Sequence, residues 1–466
     1  MRTLTLRMLI VGTLVAATLI ASLVAVGQAR AITLPGDVLW QRTCTTTYGG
    51  DGFVEMARGP GGVVYAVGTR AYKDSTGTKD CLCVLAVKYS PSGKLLWKRS
   101  LAGGVIPNGS EGQDLAVDGH GNVTVAGMKN TTTHSLDIVV ARYSPTGKLL
   151  WTRTYNGTAD TDDWPSDLAL DRSGNALVSG YTTTASDGWD ALLLKLSSRS
   201  GRRLWTYTYN NSAADSDDSA SAVVLDHGGA AYLSGWSANA GNVTSAVLVV
   251  KVSAAGKQLW EQRLQLNDRG VGRRIALDGN GDVAVAGNST AAGDFNLFAA
   301  KLKPATGAQA WTPRIIASAF NQDLSDMVIE RCHNDIFLVG ASGGATVPRG
   351  VIADVKYNGV LLWATFFSPS NLVSGSLSWE AVALDSHDDL FVTGRDASPT
   401  NESFEVSKAE WDGAWPLWQT FVAGSVPGYT RPKDLIWVGG ASGGVYACGV
   451  ITKAGVDYAF IAKYQP

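Results

Sequence analysis

Two short segments of the chain carry closely spaced carboxylates, the side chains best suited to hold a hard cation. They are NGTADTDDWPSD, which begins at residue 156, and NNSAADSDDSAS, which begins at residue 210. Their aspartates are Asp160, Asp162, Asp163, Asp215, Asp217 and Asp218. Because calcium is bound mainly by carboxylate and carbonyl oxygens, the two segments predict a calcium site if the fold brings them to one face. Solvated acidic loops are the alternative interpretation.

Three tryptophans lie in or beside these acidic segments. Trp164 directly follows Asp163 in the first one, and Trp189 and Trp236 flank the second one along the chain. Exposed indoles can stack on sugar rings or contact the side chains of a protein partner. We therefore predict ligand binding at Trp164, Trp189 and Trp236, with partial burial under neighbouring loops as the alternative.

A second set of tryptophans recurs along the whole chain and gives its organisation. These residues are Trp40, Trp97, Trp151, Trp205, Trp260, Trp311, Trp363 and Trp418. Successive members are 51 to 57 residues apart, which is typical of solenoids and propellers. Since one indole recurs in every unit, this set is interpreted as architecture.

Each unit contains four predicted strands. In residues 113–155 they are QDLAVD, VTVAG, DIVVARY and KLLWTRTY, separated by turns rich in Gly, Asn and Pro. Four antiparallel strands in each of eight units predict an all-β fold, an eight-bladed β-propeller over residues 32–466. A basic residue near the end of each third strand is interpreted as structural, in the set Lys88, Arg142, Lys195, Lys251, Lys301, Lys356, Lys408 and Lys463.

The first and last units complement each other. The last unit ends with a third strand, residues 458–464, whereas the first Leu-Trp strand, residues 37–43, has no third strand before it. We expect this N-terminal strand to complete the last blade and close the ring, because an open sheet edge would pair with other chains.

Residues 1–31 have the features of a secretory signal peptide. Arg2 and Arg7 precede an uncharged run from Met8 to Val26, and Ala29-Arg30-Ala31 resembles a cleavage site. The run is nearly long enough to span a bilayer, so an uncleaved membrane anchor is the alternative. The sequence thus predicts a secreted or cell-surface protein, expected to be a monomer.

The five cysteines suggest a disulfide bond in an exported chain. Cys44 ends the closing strand, and Cys81 and Cys83 open a third strand in the next blade, so a bond from Cys44 to Cys81 or Cys83 is predicted. Cys332 and His333 are adjacent without a spaced second pair, so zinc is not predicted there.

Composition and spacing exclude several classes of function. A net charge of -2 gives no basic surface for nucleic acid. Ser/His/Asp catalysis is not supported, because four of the five histidines, His120, His227, His333 and His387, fall in predicted hairpin turns away from the acidic segments.

The unit D-x-A-x-D-x-x-G-N-x-x-V-x-G followed by D-x-x-V-x-K-Y-x-x-x-G-x-x-L-W, as in residues 167–205, resembles the SBBP or delta-60 type of bacterial β-propeller repeat. The Gly-x-x-Leu-Trp ending is similar to that of quinoprotein-like eight-bladed propellers. The first resemblance implies a secreted or surface protein more than a particular chemistry. Quinoprotein dehydrogenases place adjacent cysteines over the quinone cofactor PQQ, whereas Leu82 separates Cys81 from Cys83, so PQQ is not predicted. No cofactor other than calcium is predicted.

Two functional hypotheses follow. The first is an exported, non-enzymatic binding or scaffold propeller that engages an extracellular or cell-surface protein or polysaccharide through the face carrying the acidic segments. The second is an extracellular glycan hydrolase or lyase, with its site on that face or in the central channel. A deep pocket with converging carboxylates of altered pKa would favour the enzyme, and a broad shallow face would favour the binding protein.

Overall fold

The computed structural model describes residues 34–466 except residues 45–50, 74–79, 103–111, 131–134, 185–187, 212–215, 292, 319–320, 344–347, 368–375, 399–400, 410–417, 424–429, 441–442 and 454–455. These residues form an all-β structure with two short 3-10 turns, Pro60–Gly62 and Ala240–Asn242. Eight four-stranded antiparallel units, here called blades, are present, as the repeat predicted. Blades 4 and 5 count as one eight-stranded sheet because a parallel bridge joins Ser245 to Arg269.

The strands of the first four blades follow chain order. Blade 1 consists of β2 (Gly52–Arg58), β3 (Val64–Lys73), β4 (Asp80–Tyr89) and β5 (Leu95–Ala102). Blade 2 consists of β6 (Gly112–Val117), β7 (Val123–Asn130), β8 (Leu136–Tyr143) and β9 (Leu149–Tyr155). Blade 3 consists of β10 (Asp163–Leu170), β11 (Ala176–Thr184), β12 (Gly188–Leu196) and β13 (Arg203–Tyr209). Blade 4 consists of β14 (Asp218–Leu225), β15 (Ala231–Ala238), β16 (Ser245–Val252) and β17 (Gln258–Leu264).

The remaining blades follow the same plan, except that the last one borrows a strand from the start of the chain. Blade 5 consists of β18 (Arg269–Leu277), β19 (Val283–Ala291), β20 (Asp294–Leu302) and β21 (Gln309–Ile316). Blade 6 consists of β22 (Asn321–Ile329), β23 (Ile336–Gly343), β24 (Arg349–Val355) and β25 (Leu361–Phe367). Blade 7 consists of β26 (Ser376–Leu384), β27 (Leu390–Ser398), β28 (Asn401–Ala409) and β29 (Trp418–Ala423). Blade 8 consists of β30 (Arg431–Val438), β31 (Gly444–Lys453), β32 (Val456–Tyr464) and β1 (Val38–Cys44).

The second strand of each blade continues past the glycine that ends motifs such as VTVAG. In blade 3, β11 runs on to Thr184 beyond Gly180. A Cβ atom on Gly180 would lie 1.8 Å from the carbonyl oxygen of Trp164, so only glycine allows β10 to approach β11 this closely. This contact lies at a β-bulge in β10.

The repeated tryptophans join each blade to the next one. The indole Nε1 of Trp97 in blade 1 donates a hydrogen bond of 3.1 Å to the carbonyl of Pro145 in blade 2. Its ring covers Gly147, which has a φ of +78° and whose added Cβ would lie 2.8 Å from Trp97 Cγ. Equivalent indole-to-carbonyl bonds join Trp40 to Pro91, Trp151 to Ser198, Trp205 to Ala254, Trp260 to Pro304 and Trp311 to Tyr357. The interpretation of these tryptophans as architecture is therefore confirmed for six blades.

The basic residues near the ends of the third strands are also structural, because most of them form ion pairs within their own blades. In five blades they lie beside an acidic residue of the hairpin that joins the first and second strands. These pairs are Arg142–Asp118, Lys195–Asp171, Lys251–Asp226, Lys301–Asp278 and Lys408–Asp389. The assignment of Lys356 to this set is wrong. Asp354, rather than Lys356, lies opposite Trp363 in blade 6, and Lys356 begins the following turn.

The strand at the start of the described chain pairs with the last one. Residues Val38–Cys44 run antiparallel to β32, with Val38 opposite Tyr464 and Cys44 opposite Ala459. No sheet of the described residues closes on itself, so the predicted closure of the ring is not confirmed, and blades 8 and 1 meet by packing. Phe53 of blade 1, Tyr446 of blade 8 and Cys44 share one buried cluster at this junction.

The two chain ends also rebuild a turn that is continuous in other blades. In blade 1, the amide of Ser90 donates to the carbonyl of Lys94, and that of Gly93 donates to the carbonyl of Ser90, both at 2.9 Å. In blade 8, the amide of Gln465 donates to the carbonyl of Asp37 at 2.9 Å, and that of Gly36 donates to Gln465 at 2.8 Å. Gly36 takes a φ of 86°, close to the 76° of Gly93. The turn between the third and fourth strands of blade 8 is thus split between the two ends.

Candidate functional site

A feature present in most blades serves the fold, whereas a feature confined to one or two blades is a candidate for function. The predicted aromatic residues belong to the second kind. Trp164, Trp189 and Trp236 come together with Tyr181 at one face of blades 3 and 4. We call these four side chains the aromatic row.

The rings of the aromatic row form a continuous series of contacts. The centroids of Trp164 and Tyr181 lie 6.4 Å apart with an interplanar angle of 10°. Tyr181 then stacks on Trp189 at 4.6 Å and 19°, and Trp189 meets Trp236 edge to face at 6.4 Å and 73°. Trp189 is 39% exposed, and the other three rings are partly buried. The row therefore presents aromatic surface to solvent on a fixed framework.

Sequence reasoning missed Tyr181, although a signal for it was present. Tyr181 directly follows the second-strand glycine Gly180, as Trp236 follows Gly235. Both residues therefore occupy the same position in neighbouring blades. Aligning the repeats on this glycine would have placed Tyr181 beside Trp164, its partner in the pairing of β10 with β11.

The acidic residues beside the row already accept hydrogen bonds. Asp162 Oδ1 accepts from the amide of Leu136 at 2.8 Å, and Asp217 Oδ1 accepts from the amide of Trp189 at 3.1 Å. Each of these bonds links the segment to the third strand of the preceding blade. Asp217 therefore positions a member of the aromatic row. Asp160 Oδ1 accepts from the side-chain amide of Asn156 at 2.6 Å.

Asp163 and Asp218 are buried at equivalent positions, at the starts of β10 and β14. Asp163 accepts hydrogen bonds from the amide of Gly157 and the hydroxyl of Thr182, and Asp218 accepts from the amide of Asn211. Burial raises the pKa of Asp163 and raises that of Asp218 to about 6. Asp215 lies outside the described residues, and calcium binding by these segments stays a prediction.

The predicted disulfide bond is not formed in the structure. Cys44 is a free thiol, and the side chain of Cys81 lies outside the described part of the chain. Cys44 packs in the buried cluster between blades 8 and 1, and its sulfur lies 3.7 Å from Lys98 Nζ. Burial, the largest influence, raises the pKa of this thiol. Cys44 thus behaves as a small apolar side chain.

The first strands of all eight blades line a central channel. Each of these strands carries a bulge, and the residue after the bulge faces a cavity of about 290 Å³. These channel residues are Glu55, Asp114, Asp167, Ala222, Arg274, Asp326, Ala381 and Asp434. Five of them are acidic and one is basic. Sequence reasoning did not identify this ring.

Several channel carboxylates bond to the following blade. Asp114 accepts a hydrogen bond from the amide of Leu168 at 2.5 Å, and Asp167 accepts one from Val223 at 2.7 Å. Asp326 accepts from Val382 at 3.0 Å and from Arg274 Nε at 2.9 Å. Because the bond recurs between blades, we assign these aspartates first to the architecture.

The channel carboxylates nevertheless have altered proton affinity. Burial, and then the charges of Asp434 and Asp114, raise the pKa of Glu55 well above its usual range. Burial and the neighbouring Asp167 raise the pKa of Asp114, and burial raises that of Asp434 to about 7. A cavity with converging carboxylates is therefore present as well as the aromatic row.

The repeats and blades define a β-propeller repeat protein. Residues 151–186 match the model of the SBBP beta-propeller repeat, so the resemblance seen in the sequence is confirmed for that repeat. In the part of the chain that the structure describes, no helix has the length and hydropathy of a membrane span.

Similar solved structures include a polysaccharide lyase, a puromycin hydrolase and a eukaryotic initiation factor. A polysaccharide lyase is 10% identical with a TM-score of 0.43, over 76% of this chain and 90% of that one. A puromycin hydrolase is 13% identical with a TM-score of 0.46, over 86% of this chain and 58% of that one. A eukaryotic initiation factor is 9% identical with a TM-score of 0.44, over 89% and 90% of the two chains. Among curated proteins, no sequence matches this chain. These similarities are too low to support an argument about activity.

Proposed function

We propose that this protein is an exported, non-enzymatic binding propeller that engages a polysaccharide through the aromatic row. The observation that carries the proposal is the contact series from Trp164 through Tyr181 and Trp189 to Trp236 on one face of blades 3 and 4. The row is absent from the repeat pattern, so blade architecture does not account for it.

The chemistry of the row suits a sugar chain. One face of a pyranose ring presents C–H groups, which pack well against the flat face of an indole or phenol ring. Tyr181 stacks on Trp189 with an interplanar angle of 19° and so supports that indole from one side, and Trp189 exposes 39% of its surface. A linear polymer fits a row better than it fits a compact pocket.

The polar groups around the row favour a neutral polymer over an acidic one. Asp162 and Asp217 lie beside the rings and would repel carboxylated or sulfated sugars. Their carboxylates, with the side chain of Asn242 bonded to Asp217 at 3.0 Å, offer hydrogen-bond acceptors to sugar hydroxyl groups. The ligand proposed is therefore a neutral polysaccharide.

Affinity electrophoresis against a panel of neutral and acidic polysaccharides tests this proposal. Trp189→Ala should weaken binding of the retained polymer by at least about tenfold, which corresponds to about 1.4 kcal/mol. Tyr357→Ala is the matched control, because Tyr357 is an aromatic residue, 56% exposed, in a turn on the opposite face of blade 6. Equal retention of wild type, Trp189→Ala and Trp164→Ala, or retention of acidic polymers alone, would overturn the proposal.

The alternative is an extracellular glycan hydrolase or lyase acting in the central channel. It is supported by the raised pKa values of Glu55, Asp114 and Asp434 around one cavity, since a carboxyl group that keeps its proton near neutral pH can act as a general acid. Glu55 is the residue to test, because Asp114 and Asp434 each bond to the next blade. Release of reducing ends that is lost in Glu55→Gln would favour this function over simple binding.

A further inference from the structure

In blades 2 and 5 a basic side chain lies between the first hairpins of two neighbouring blades. Lys301 of blade 5 donates to Asp278 Oδ2 in its own hairpin at 3.0 Å and lies 3.4 Å from the carbonyl of Asn334 in the hairpin of blade 6. Arg142 of blade 2 likewise pairs with Asp118 and donates to the carbonyl of Gly174 in blade 3 at 3.0 Å. A cation at this position therefore holds the two hairpins together.

Between blades 6 and 7 this cation is replaced by an acid. Asp354 lies opposite Trp363, in the register that Lys301 has opposite Trp311. Its side chain is buried, with the residue 1% exposed, and its Oδ1 has no hydrogen-bond partner among the described residues. The charges of Asp335, Lys356 and Glu330 act on it, which places it toward the hairpin of its own blade. The position that elsewhere holds an ammonium or guanidinium group thus holds a buried carboxylate.

The two hairpins beside Asp354 add further ligand atoms. Glu330 begins the hairpin of blade 6, and Asp388 takes a φ of 64° in the hairpin of blade 7, where blade 3 has Gly174. One carboxylate oxygen of Glu330, one carboxylate oxygen of Asp388 and the sulfur of Cys332 lie within 4.8 Å of one another. Cys332 Sγ is 3.4 Å from Asp388 Oδ2, and the side chains of Glu330 and Asp388 are 1% and 7% exposed.

Besides Lys356, which acts on Asp354, two largely exposed basic side chains lie beside this group. Arg331 Nε is 3.9 Å from Asp388 Oδ1, with 59% of its side chain exposed. His333 Nδ1 is 3.3 Å from Glu330 Oε2, with 64% of its side chain exposed. Glu330 and Asp388, by contrast, bring two buried carboxylates together, and Asp354 is close enough to Glu330 for their charges to interact.

We propose that Glu330, Cys332 and Asp388 bind a thiophilic divalent metal ion of the zinc class, which replaces the missing basic side chain and joins blades 6 and 7. Ligand atoms around a tetrahedral zinc ion, with bonds of about 2.0–2.3 Å, are about 3.5 Å apart, and the separation of Cys332 from Asp388 matches this. The sulfur ligand favours zinc over calcium or magnesium. His333 Nδ1 lies 3.3 Å from Glu330 Oε2, outside this three-ligand group, and Asp354 supplies additional negative charge.

This proposal departs from the expectation that zinc is not bound at Cys332 and His333. That expectation rested on the absence of a second pair of ligands nearby in the sequence. The partner is Asp388, 56 residues further along, which is one repeat period away. The fold brings it to Cys332 because equivalent hairpins of neighbouring blades lie side by side.

Titration calorimetry of the chelator-treated full-length protein with zinc chloride tests the proposal. We expect one zinc ion per chain, a rise in melting temperature with zinc, and no comparable rise with calcium chloride. Cys332→Ser and Asp388→Asn should each weaken zinc binding by at least about tenfold, as expected when one ligand is lost. Cobalt bound in place of zinc should give a thiolate-to-metal absorption band that Cys332→Ser abolishes.

A second variant separates metal binding from effects on folding. Asp354→Lys restores the basic residue of the other blades, so it should melt at a higher temperature than wild type without metal and should show no further rise with zinc. His120→Ala is the control, because His120 occupies the equivalent hairpin of blade 2 and should leave zinc binding unchanged. Zinc affinity that is unaltered in Cys332→Ser, a zinc response retained in Asp354→Lys, or a calcium response equal to that of zinc would each overturn the proposal.

Discussion

The carboxylate of Asp434 accepts a hydrogen bond of 2.7 Å from the backbone amide of Met56, which joins the last blade to the first across 378 positions of the sequence. The same bond joins Asp114 to Leu168 and Asp167 to Val223 between consecutive blades. The junction where the ring closes is therefore built like the junctions within it. Asp434 is also buried, and its charge is disfavoured there.

The first prediction concerns the dependence of stability on pH. Burial raises the pKa of Asp434 from its usual value of 3.8 to about 7, so the folded protein binds a proton more tightly than the unfolded chain does. Its contribution to stability is then complete below about pH 4 and is lost as the pH rises through about 7. We expect the free energy of unfolding of wild type to fall over this range more than that of Asp434→Asn, by about 1 kcal/mol or more.

Chemical denaturation at several pH values between 4 and 8 measures this difference in slope. The side chain introduced by Asp434→Asn would keep only one acceptor oxygen for the amides of Met56 and Leu435, so a constant loss of stability is expected in addition. This constant loss does not alter how steeply the free energy of unfolding falls with pH, so the two effects can be told apart. Asp294→Asn, at an exposed position, is the control and should follow wild type; parallel curves for wild type and Asp434→Asn would refute the prediction.

The second prediction concerns the contact between Trp97 and Gly147. Gly147→Ala should destabilise the protein, because the new Cβ would lie 2.8 Å from Trp97 Cγ and would lift the indole from the turn. Gly61→Ala is a matched control, since Gly61 has a similar φ of +75° but no atom within 4 Å of its added Cβ. The backbone strain is then common to both variants. We expect Gly147→Ala to lose about 1–3 kcal/mol more than the control in denaturant titrations.

The third prediction concerns the split turn of blade 8. Tyr464 and Val38 occupy the positions that Tyr89 and Leu95 have in blade 1, so Pro466 and Pro35 correspond to consecutive residues. A circular permutant that joins Pro466 directly to Pro35, with new ends between Pro145 and Thr146, should fold and melt close to wild type. Circular dichroism and thermal melting check this expectation.

A truncated chain that begins at residue 45 is the comparison for the permutant. It lacks β1, so the edge of β32 is left unpaired and Trp40 no longer covers Gly93. We expect this chain to be less stable by several kcal/mol or to associate through the free edge, as size-exclusion chromatography would detect. A truncated chain as stable as the permutant would show that the pairing of β1 with β32 contributes little.

The fourth prediction separates the framework of the aromatic row from its rings. Asp217→Ala removes the acceptor for the amide of Trp189 without changing any aromatic side chain. Polysaccharide retention should weaken several-fold, because Trp189 is then free to shift from its stack on Tyr181. Asp160→Ala is the control, since Asp160 bonds only within its own loop, to Asn156. If both variants bind equally well, Asp217 does not position the row.

The repeat pattern predicted the blades well, because the tryptophan and the turn glycine make the same contact at six junctions between blades. The same pattern misled the assignment of Lys356. In blades 1, 2 and 4 the basic residue lies nine positions before the tryptophan, as Lys88 does before Trp97, whereas Lys356 lies seven positions before Trp363. Counting back nine positions gives Asp354. Residues 355–357 have the sequence Val-Lys-Tyr, which resembles the end of the third strand in other repeats, and this similarity led to Lys356. The spacing to the tryptophan, which sets the strand register, selects Asp354 instead.

The channel ring and the cluster at Cys332 could not be predicted in the same way. Whether Glu55 or Asp434 points into the channel depends on a bulge in the first strand, which no residue type specifies. The group of Glu330, Cys332 and Asp388 depends on two hairpins one repeat apart. The three tryptophans of the aromatic row could be predicted from the sequence, because they are rare residues outside the repeated positions.

Val38 lies opposite Tyr464, so both ends of the propeller leave the β1–β32 pair at the same point. Tension applied to these two ends separates the strands from that point one hydrogen bond at a time, instead of shearing all the bonds together. The pairing of β1 with β32, here called the seam, is therefore expected to separate under a small force. Once β1 has peeled away, Trp40 leaves Gly93 and the adjoining blade loses its support. Under force, such a propeller unravels progressively from the seam.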